Sequence, residues 1–214
     1  MADLPKAPEG TAADLIAAAL RLFGQKGFAA TPIREIAAEA GANVAAIAYH
    51  FGNKEGLRRA CAAEVARRID LAVARVPAST PASPAAAAAQ MEAILRTMAG
   101  FVLTAPEAEP ILPFMLREVA EDGPVLDTVY GALMEPAHRR LSALWAAATG
   151  QEAEAERTRL MVFAVVGQLL YFRIGRPIVI RRMGWAALGP AEAATIADLL
   201  AGNLRGMIER ERAT

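Results

Sequence analysis

The side chains best suited to a binding chemistry lie in one short run of the sequence, from Thr31 to Leu57. Hydroxyl, amide, imidazole and cationic groups alternate there with small apolar residues. Such a mixture suits contact with duplex DNA, whose phosphates position a protein and whose base edges give it sequence preference. The residues of this run that we predict to contact DNA are Thr31, Arg34, Asn43, Val44, Ala45, Tyr49, His50 and Lys54.

The apolar pattern of the run predicts two short helices that position these side chains. Thr31 is the expected N-cap of the first helix, and Gly41 follows its last apolar residue, where a left-handed residue usually ends a helix. Asn43 is the expected N-cap of the second helix. Two short helices joined by a turn containing glycine form a helix-turn-helix, whose second helix can enter the major groove. The inward-facing residues are predicted to be Ile33, Ile36, Ala37 and Ala40 in the first helix and Val44, Ile47 and Phe51 in the second.

This run resembles the DNA-binding end of TetR-type transcriptional regulators. The residues that carry the resemblance are Thr31, Ile36–Ala37, Ala40–Gly41, Tyr49–His50–Phe51 and Lys54–Glu55. Motifs in the second half of the chain resemble the body of the CecR-type subgroup, the cefoperazone and chloramphenicol sensitivity regulators. These motifs are Glu135–Pro136–Ala137–His138, Ala147–Ala148–Thr149–Gly150, Gly167–Gln168, Phe172–Arg173–Ile174–Gly175 and Gly184–Trp185.

The resemblance implies an all-α, two-domain fold with a three-helix DNA-binding head and a helical body that binds ligand and forms a homodimer. We place the helix-turn-helix domain at residues 1–56 and the body at residues 57–214. A connector helix is predicted at residues 56–75, followed by a Pro/Ser loop. The chain departs from the family at the recognition helix, because Ala48 replaces a common Tyr and Val44 to Ala46 are small and apolar. Direct base readout is therefore expected to be thin, and readout of DNA shape important.

Composition supports a helical globular protein and excludes several other classes. Hydrophobic residues make up 55% of the 214 residues and charged residues 21%, the net charge is zero, and no strand pattern stands out. The first 60 residues carry seven Lys/Arg against six Asp/Glu, which is a small excess for a DNA-binding module. Two histidines and one cysteine supply no recognisable metal cage, and no Gly-rich phosphate loop occurs, so we expect neither an enzyme nor a cofactor.

Two further features of the sequence bear on redox chemistry and on location. Cys61 is the lone cysteine, so no intrachain disulfide can form, and we expect a buried thiol, with redox sensing as the alternative. The first ten residues lack the pattern of a signal peptide. The longest apolar run, Leu160–Phe172, is shorter than the ~20 residues of a membrane span. We therefore expect a cytoplasmic protein without a membrane partner.

Apolar rows and isolated charges in the body suggest a ligand site and a dimer interface. Arg117, Glu118 and Arg173 interrupt apolar stretches, and a charge in such a place must be paired or face a wet cavity. They therefore either bind an anionic ligand or form an internal ion-pair network. The predicted ligand-binding residues are Met98, Phe101, Met115, Arg117, Glu118, Phe172 and Arg173. The predicted interface residues, on the last two long helices, are Leu160, Phe163, Gly167, Leu170, Ile196, Leu199, Leu200 and Leu204.

Together these features indicate a DNA-binding transcriptional regulator. The function we expect is a ligand-responsive repressor that binds a pseudo-palindromic, double-stranded DNA operator as a homodimer. Its effector is expected to be a small molecule that the sequence does not name. A transcriptional activator, or a helical protein-interaction module without specific DNA binding, stays open at this point.

Overall fold

The computed structural model describes residues 8–74, 76, 79–121 and 124–212, and these residues form helices and loops without a strand. The predicted all-α class is therefore confirmed. Arg75, at the predicted end of the connector helix, lies outside the described residues. The helices are α1 Gly10–Lys26, α2 Ile33–Glu39, α3 Val44–Phe51, α4 Lys54–Val73, α5 Pro84–Thr104, α6 Ile111–Glu121, α7 Pro124–Val129, α8 Glu135–Thr149, α9 Glu156–Ile174, α10 Arg176–Met183 and α11 Pro190–Arg212.

Local sequence signals explain several of the helix ends. Ser83 caps α5, because its hydroxyl accepts a hydrogen bond from the Ala86 N–H at 3.1 Å and Pro84 follows as the first helical residue. A π-helical turn at Tyr130–Met134 joins α7 to α8. A π-turn of this kind accommodates a bend without ending the chain of helical hydrogen bonds.

Packing divides the described residues into two compact units. Unit 1 holds the described residues of Met1–Asp70 and Glu107–Met134, and unit 2 holds those of Leu71–Pro106 and Glu135–Thr214. This division differs from the predicted domains, because α4 runs without a break past residue 56 and α6 packs against α1. The segment that contains α6 and α7 therefore belongs with the head, although it follows α5 in the sequence.

The core of unit 2 is built by α5, α8, α9 and α11. Trp145 is fully buried there, together with the apolar faces of α5 and α11. No single described helix is both long and apolar enough to span a membrane, whereas α9 and α10 meet that length and composition only as a pair bent by 74°.

The core of unit 1 contains a buried ion pair between α4 and α6. The Arg58 guanidinium donates from Nε to both carboxylate oxygens of Glu118, at 2.9 and 3.1 Å, and from Nη2 to Glu121 at 2.7 Å. Glu118 is only 1% exposed. Burial raises the pKa of the Glu118 carboxyl above its ordinary value, and the hydrogen bonds from Arg58 act in the opposite direction. Arg58 therefore compensates a charge that burial alone would disfavour.

Replacing Arg58 with Met should destabilise the protein strongly, because the Glu118 carboxylate would stay buried without its partner. Breaking a buried pair in this way costs about 3–5 kcal/mol. The matched control is Arg139→Met, which removes exposed ion pairs with Glu135 and Glu154 and should cost at most about 1 kcal/mol. The measurement is urea unfolding followed by circular dichroism at fixed protein concentration. Equal losses in the two variants would contradict a stabilising role for the buried pair.

The same pair predicts a pH dependence with a defined sign. Since the pKa of Glu118 is raised in the folded protein, the folded state holds the proton more tightly than the unfolded chain. The free energy of unfolding should therefore decrease as the pH rises through the folded pKa. The decrease should be larger in Arg58→Met, where the opposing cation is gone, and smaller in Glu118→Gln. Unfolding at about pH 5 and about pH 8 measures this difference.

Candidate DNA-binding site

The turn between α2 and α3 has the geometry that the sequence predicts. Ala40 is the C-cap of α2, and Gly41 follows with a left-handed φ of 62° that an L residue adopts only with strain. Asn43 caps α3, because its Oδ1 accepts a hydrogen bond from the Ala45 N–H at 3.0 Å. Ile36 and Ile47 are buried and anchor the two helices in unit 1. The two short helices therefore form a helix-turn-helix.

Most of α3 turns its side chains outward. Tyr49 is 85% exposed and Val44 39%, and Ala45, Ala48 and His50 are exposed as well. Val44 was predicted to face inward together with Ile47 and Phe51, and for Val44 this prediction is wrong. Ile33 was also expected to face inward, but it lies at the first position of the seven-residue α2 and is exposed. The inward anchor of such a short helix is provided by the residues one turn later, Ile36 and Ala37.

Thr31 does not have the role predicted from its position. Its side chain is fully buried, and the hydroxyl donates to the Gly27 carbonyl oxygen at 2.7 Å. Pro32 occupies the N-cap position of α2, and no side chain caps this helix. The predicted N-cap and the predicted phosphate contact are therefore both wrong, because a hydroxyl bonded inside the α1–α2 loop cannot reach a phosphate.

Lys54 and Arg58 contact the same loop at Phe28. The Lys54 ammonium donates to the Phe28 carbonyl oxygen at 2.5 Å and lies 4.3 Å from the centre of the Phe28 ring. The Arg58 guanidinium lies 4.4 Å from the same ring, so the ring is flanked by two cations. Burial lowers the pKa of Lys54. Because an ammonium has three donors, a phosphate contact of Lys54 stays a prediction.

The remaining cations of unit 1 differ in how much of their charge is available to DNA. Arg21 pairs with Glu39 at 2.7 Å, and Lys26 pairs with Glu35, so α2 carboxylates neutralise both. Arg34 and Arg59 are exposed, and within residues 8–70 of the described chain neither makes an ion pair or a side-chain hydrogen bond. The sequence did not indicate Arg59 as a candidate for contact with DNA, because only the fold distinguishes this exposed arginine from its buried neighbour Arg58.

The residues predicted to bind a ligand divide between the two units. Met98, Phe101, Phe172 and Arg173 lie partly buried in unit 2. Met115 is buried in unit 1, where Arg117 is exposed and donates to the Gln25 carbonyl oxygen at 3.1 Å. Glu118 has Arg58 as its partner, which the sequence did not indicate, and a ligand contact of Arg117 or Arg173 stays a prediction. Adjacent residues on α6 point about 100° apart, which separates Arg117 from Glu118.

Trp145 in unit 2 carries a fully buried polar atom, the indole nitrogen, which the sequence did not indicate. The indole N–H of Trp145 has no hydrogen-bond partner among the described residues, although the side chain is completely enclosed by the core. Buried donors are nearly always satisfied in proteins, and an unsatisfied one costs about 1–3 kcal/mol. A tryptophan in an apolar helix pattern gives no sequence signal for this, because its partner depends on which helices surround it.

The residues predicted for a dimer interface fall into two groups. On α9, Phe163 is 62% exposed, Leu160 and Gly167 are exposed and Leu170 is partly buried, while Leu199 is exposed on α11. Ile196, Leu200 and Leu204 are at most 3% exposed and pack in the core of their own unit, so their assignment to an interface is wrong. The physical reason is that this row of α11 packs on α5. Tyr171 and Ile174 continue the exposed row of α9 and were missed.

Comparisons with known proteins match both halves of the chain. Residues 15–61 match the model of bacterial regulatory proteins of the TetR family, and residues 87–209 match the C-terminal domain of the HTH-type transcriptional dual regulator CecR. The CecR protein of Shigella flexneri is 38% identical over 181 residues, which cover 81% of this chain and 80% of that protein. The regulator RaaS of Mycobacterium tuberculosis is 28% identical over 161 residues, covering 73% and 69%.

Solved structures of low sequence identity share the fold. A TetR-like regulator from a Rhodococcus species aligns with a TM-score of 0.69 at 20% identity, covering 94% of this chain and 98% of that one. AibR in complex with isovaleryl coenzyme A and operator DNA aligns with a TM-score of 0.67 at 17% identity, covering 90% and 97%. At these identities the likeness concerns the fold alone. The family models and the CecR relative decide the identity: the chain belongs to the TetR family of DNA-binding transcriptional regulators, in the CecR-related group, and is not an enzyme.

Proposed function

We propose that this regulator is a ligand-responsive repressor that binds a pseudo-palindromic operator as a homodimer in the cytoplasm. The observation that carries the proposal is the helix-turn-helix of unit 1, in which α3 has an exposed face and Arg34 on α2 is exposed without an ion pair among the described residues. One such motif per chain reads half a site. Two copies related by a two-fold axis would place their recognition helices about one DNA turn (~34 Å) apart, or a multiple of it, on a palindromic sequence.

The exposed row of α9 supports the homodimer. Leu160, Phe163, Gly167, Tyr171 and Ile174 follow one another three or four positions apart and therefore lie along one face of the helix. A Cβ added at Gly167 would meet nothing within 4 Å in its own chain, so packing inside the protomer does not require glycine there. A glycine in an apolar row instead allows a second helix to approach closely. Obligate interfaces of this kind bury roughly 2,000 Å² or more.

A ligand in the body would act on DNA binding without touching DNA. Trp145 offers a donor without a partner among the described residues inside unit 2, and a ligand with an acceptor group would satisfy it. Phe172 and Met98 pack against the same core. The fold relative AibR was solved with isovaleryl coenzyme A, which makes an acyl coenzyme A the first effector to test. The effector must prefer the DNA-incompetent state, because equal affinity for both states shifts nothing.

Activation is the second function that an observation favours, since the CecR relative is described as a dual regulator. A reporter gene behind the promoter of the protein's own operon separates the two. Deleting the regulator gene should raise reporter output if the protein represses this promoter, and lower it if the protein activates it.

Arg34→Gln should weaken operator binding and flatten its dependence on salt, because each phosphate contact contributes about 0.9 to the slope of log K against log salt. A dimer would lose about two such contacts. The matched control is Arg21→Gln, which removes the same charge from a residue already neutralised by Glu39. Lys54→Met should flatten the slope as well if its ammonium reaches a phosphate. Equal slopes for wild type and Arg34→Gln would remove Arg34 from the phosphate contacts.

Phe163→Glu should convert the dimer to a monomer, because a charge would be buried in the centre of the proposed apolar interface. Sedimentation velocity measures the outcome. Leu116→Glu places the same charge on an exposed apolar position of α6 and should leave the dimer intact. Leu200→Glu is unsuitable, since it would bury a charge in the core of its own chain. A Phe163→Glu variant that stays dimeric would reject this interface.

An effector should bind less tightly when operator is present, since coupling between two sites is reciprocal. Isovaleryl coenzyme A and a panel of amphipathic drugs can be screened by thermal shift, and the affinity of each binder then measured with and without operator. A coupling of about 1–3 kcal/mol would change the affinity 5–150-fold. Trp145→Phe keeps the ring and removes the donor, so it should weaken a ligand that accepts from the indole. A binder whose affinity is the same with and without operator would contradict the proposed coupling.

A further inference from the structure

Of the exposed residues of α3, Val44, Ala45 and Ala48 offer only methyl groups, whereas Tyr49 and His50 carry polar atoms. Val44, Ala45, Ala48 and Tyr49 are all exposed and stand at positions i, i+1, i+4 and i+5, which places them in two adjacent rows on one side of the helix. We call these four residues the methyl face. It carries no charge and no amide, and its single polar side-chain atom is the Tyr49 hydroxyl. A recognition helix with this face has few groups that can hydrogen-bond to base edges.

We infer that α3 reads the C5-methyl groups of pyrimidines in the major groove, through Val44, Ala45 and Ala48. In the major groove thymine alone among the four bases presents a methyl group, which apolar side chains contact. Bidentate hydrogen bonds to guanine or adenine require arginine, lysine, asparagine or glutamine, and the methyl face contains none of these. Its small side chains also let the helix backbone lie close to the bases. The ligand class is therefore duplex DNA with 5-methylpyrimidines at defined positions of each half-site.

Among the polar residues near the methyl face, Tyr49 and His50 lie in the last turn of α3, and the others have other partners or other positions. The Asn43 amide is oriented by its cap, since Oδ1 accepts from the Ala45 N–H at 3.0 Å. Arg34 lies on α2 rather than on the recognition helix. Arg21 and Lys26 on α1 are neutralised by α2 carboxylates. Phosphate contacts and base contacts are thus separated on this head: cations outside α3 supply the first, and methyl groups on α3 supply the second.

Replacing thymine with uracil tests the inference, because uracil keeps every hydrogen-bonding group and removes only the methyl. A duplex selected by the full-length protein from a random library is resynthesised with deoxyuridine at one thymine position at a time. We expect two or more positions per half-site at which uracil weakens binding by about fourfold each, the loss that one buried methyl predicts. In a second series, the thymine·adenine pair at such a position is replaced with cytosine·guanine. Placing 5-methylcytosine instead of cytosine there restores the methyl and should recover part of the affinity.

A cycle of protein and DNA changes separates direct contact from an effect of the methyl on DNA shape. In Val44→Ala the ratio of thymine to uracil affinity should fall to about one at a single position and stay unchanged elsewhere. Val119→Ala makes the same substitution at a residue of α6 that is 48% exposed, and it should leave every ratio unchanged. Both changes lie at exposed positions, so folding should be retained, which circular dichroism verifies.

The outcomes that overturn the inference differ from those that overturn the regulatory function. Specific binding that is indifferent to uracil at every position would refute methyl reading and leave the DNA-binding function intact. Losses with uracil that persist unchanged in Val44→Ala, Ala45→Gly and Ala48→Gly would assign the effect to DNA shape and also refute it. Selection that enriches no sequence would overturn sequence-specific DNA binding itself, and methyl reading with it.

Discussion

The Arg58 guanidinium joins the three parts of unit 1 that set the position of the recognition helix. It projects from α4, donates to the Glu118 carboxylate on α6, and lies against the Phe28 ring in the loop that leads from α1 into α2. The Lys54 ammonium donates to the backbone carbonyl of Phe28 in the same loop, and the Thr31 hydroxyl donates to the carbonyl of Gly27. The loop therefore has little freedom of its own, and the orientation of α2 and α3 follows that of α4 and α6.

This arrangement lowers the affinity for DNA, because several cations of the head interact with groups of the protein itself. Arg58 is buried, Lys54 is bonded to a carbonyl oxygen, and Arg21 and Lys26 face α2 carboxylates. The small positive excess of the first 60 residues is therefore further reduced in the structure, and few exposed charges remain to attract phosphates. A head of this composition depends more on the fit of α3 in the groove than on charge. Non-specific binding should be correspondingly weak.

The sequence predicted what depends on local chemistry and missed what depends on distant neighbours. Gly41 and Asn43 were assigned correctly, since a left-handed residue and an N-cap act within a few residues of themselves. The burial of Cys61 followed from helix periodicity and is confirmed. Thr31 was placed wrongly, because its partner is the carbonyl of Gly27 in the preceding loop rather than the helix that follows it.

The same distinction explains the errors in the body. Helix periodicity identified the apolar row of α11 that contains Leu200 but could not say that α5 of the same chain covers it. An apolar row predicts burial, and only the three-dimensional arrangement tells whether the partner is the same chain or a second one. Glu118 was suspected because a charge in an apolar stretch needs compensation, yet Arg58 lies 60 residues away and no local pattern indicates it.

Magnitudes limit how an effector could release such a head from DNA. Leaving one member of a buried ion pair without its partner costs about 3–5 kcal/mol in general, whereas allosteric coupling usually amounts to about 1–3 kcal/mol. An effector with that coupling energy cannot open unit 1 at the ion pair, so α2, α3, α4 and α6 should move together as one rigid body. In the proposed homodimer, the softer variable would be the separation of the two copies of this rigid body. Because α4 is a single helix whose last residues belong to unit 2, it is the segment through which, in the proposed mechanism, a small change in the body would alter that separation.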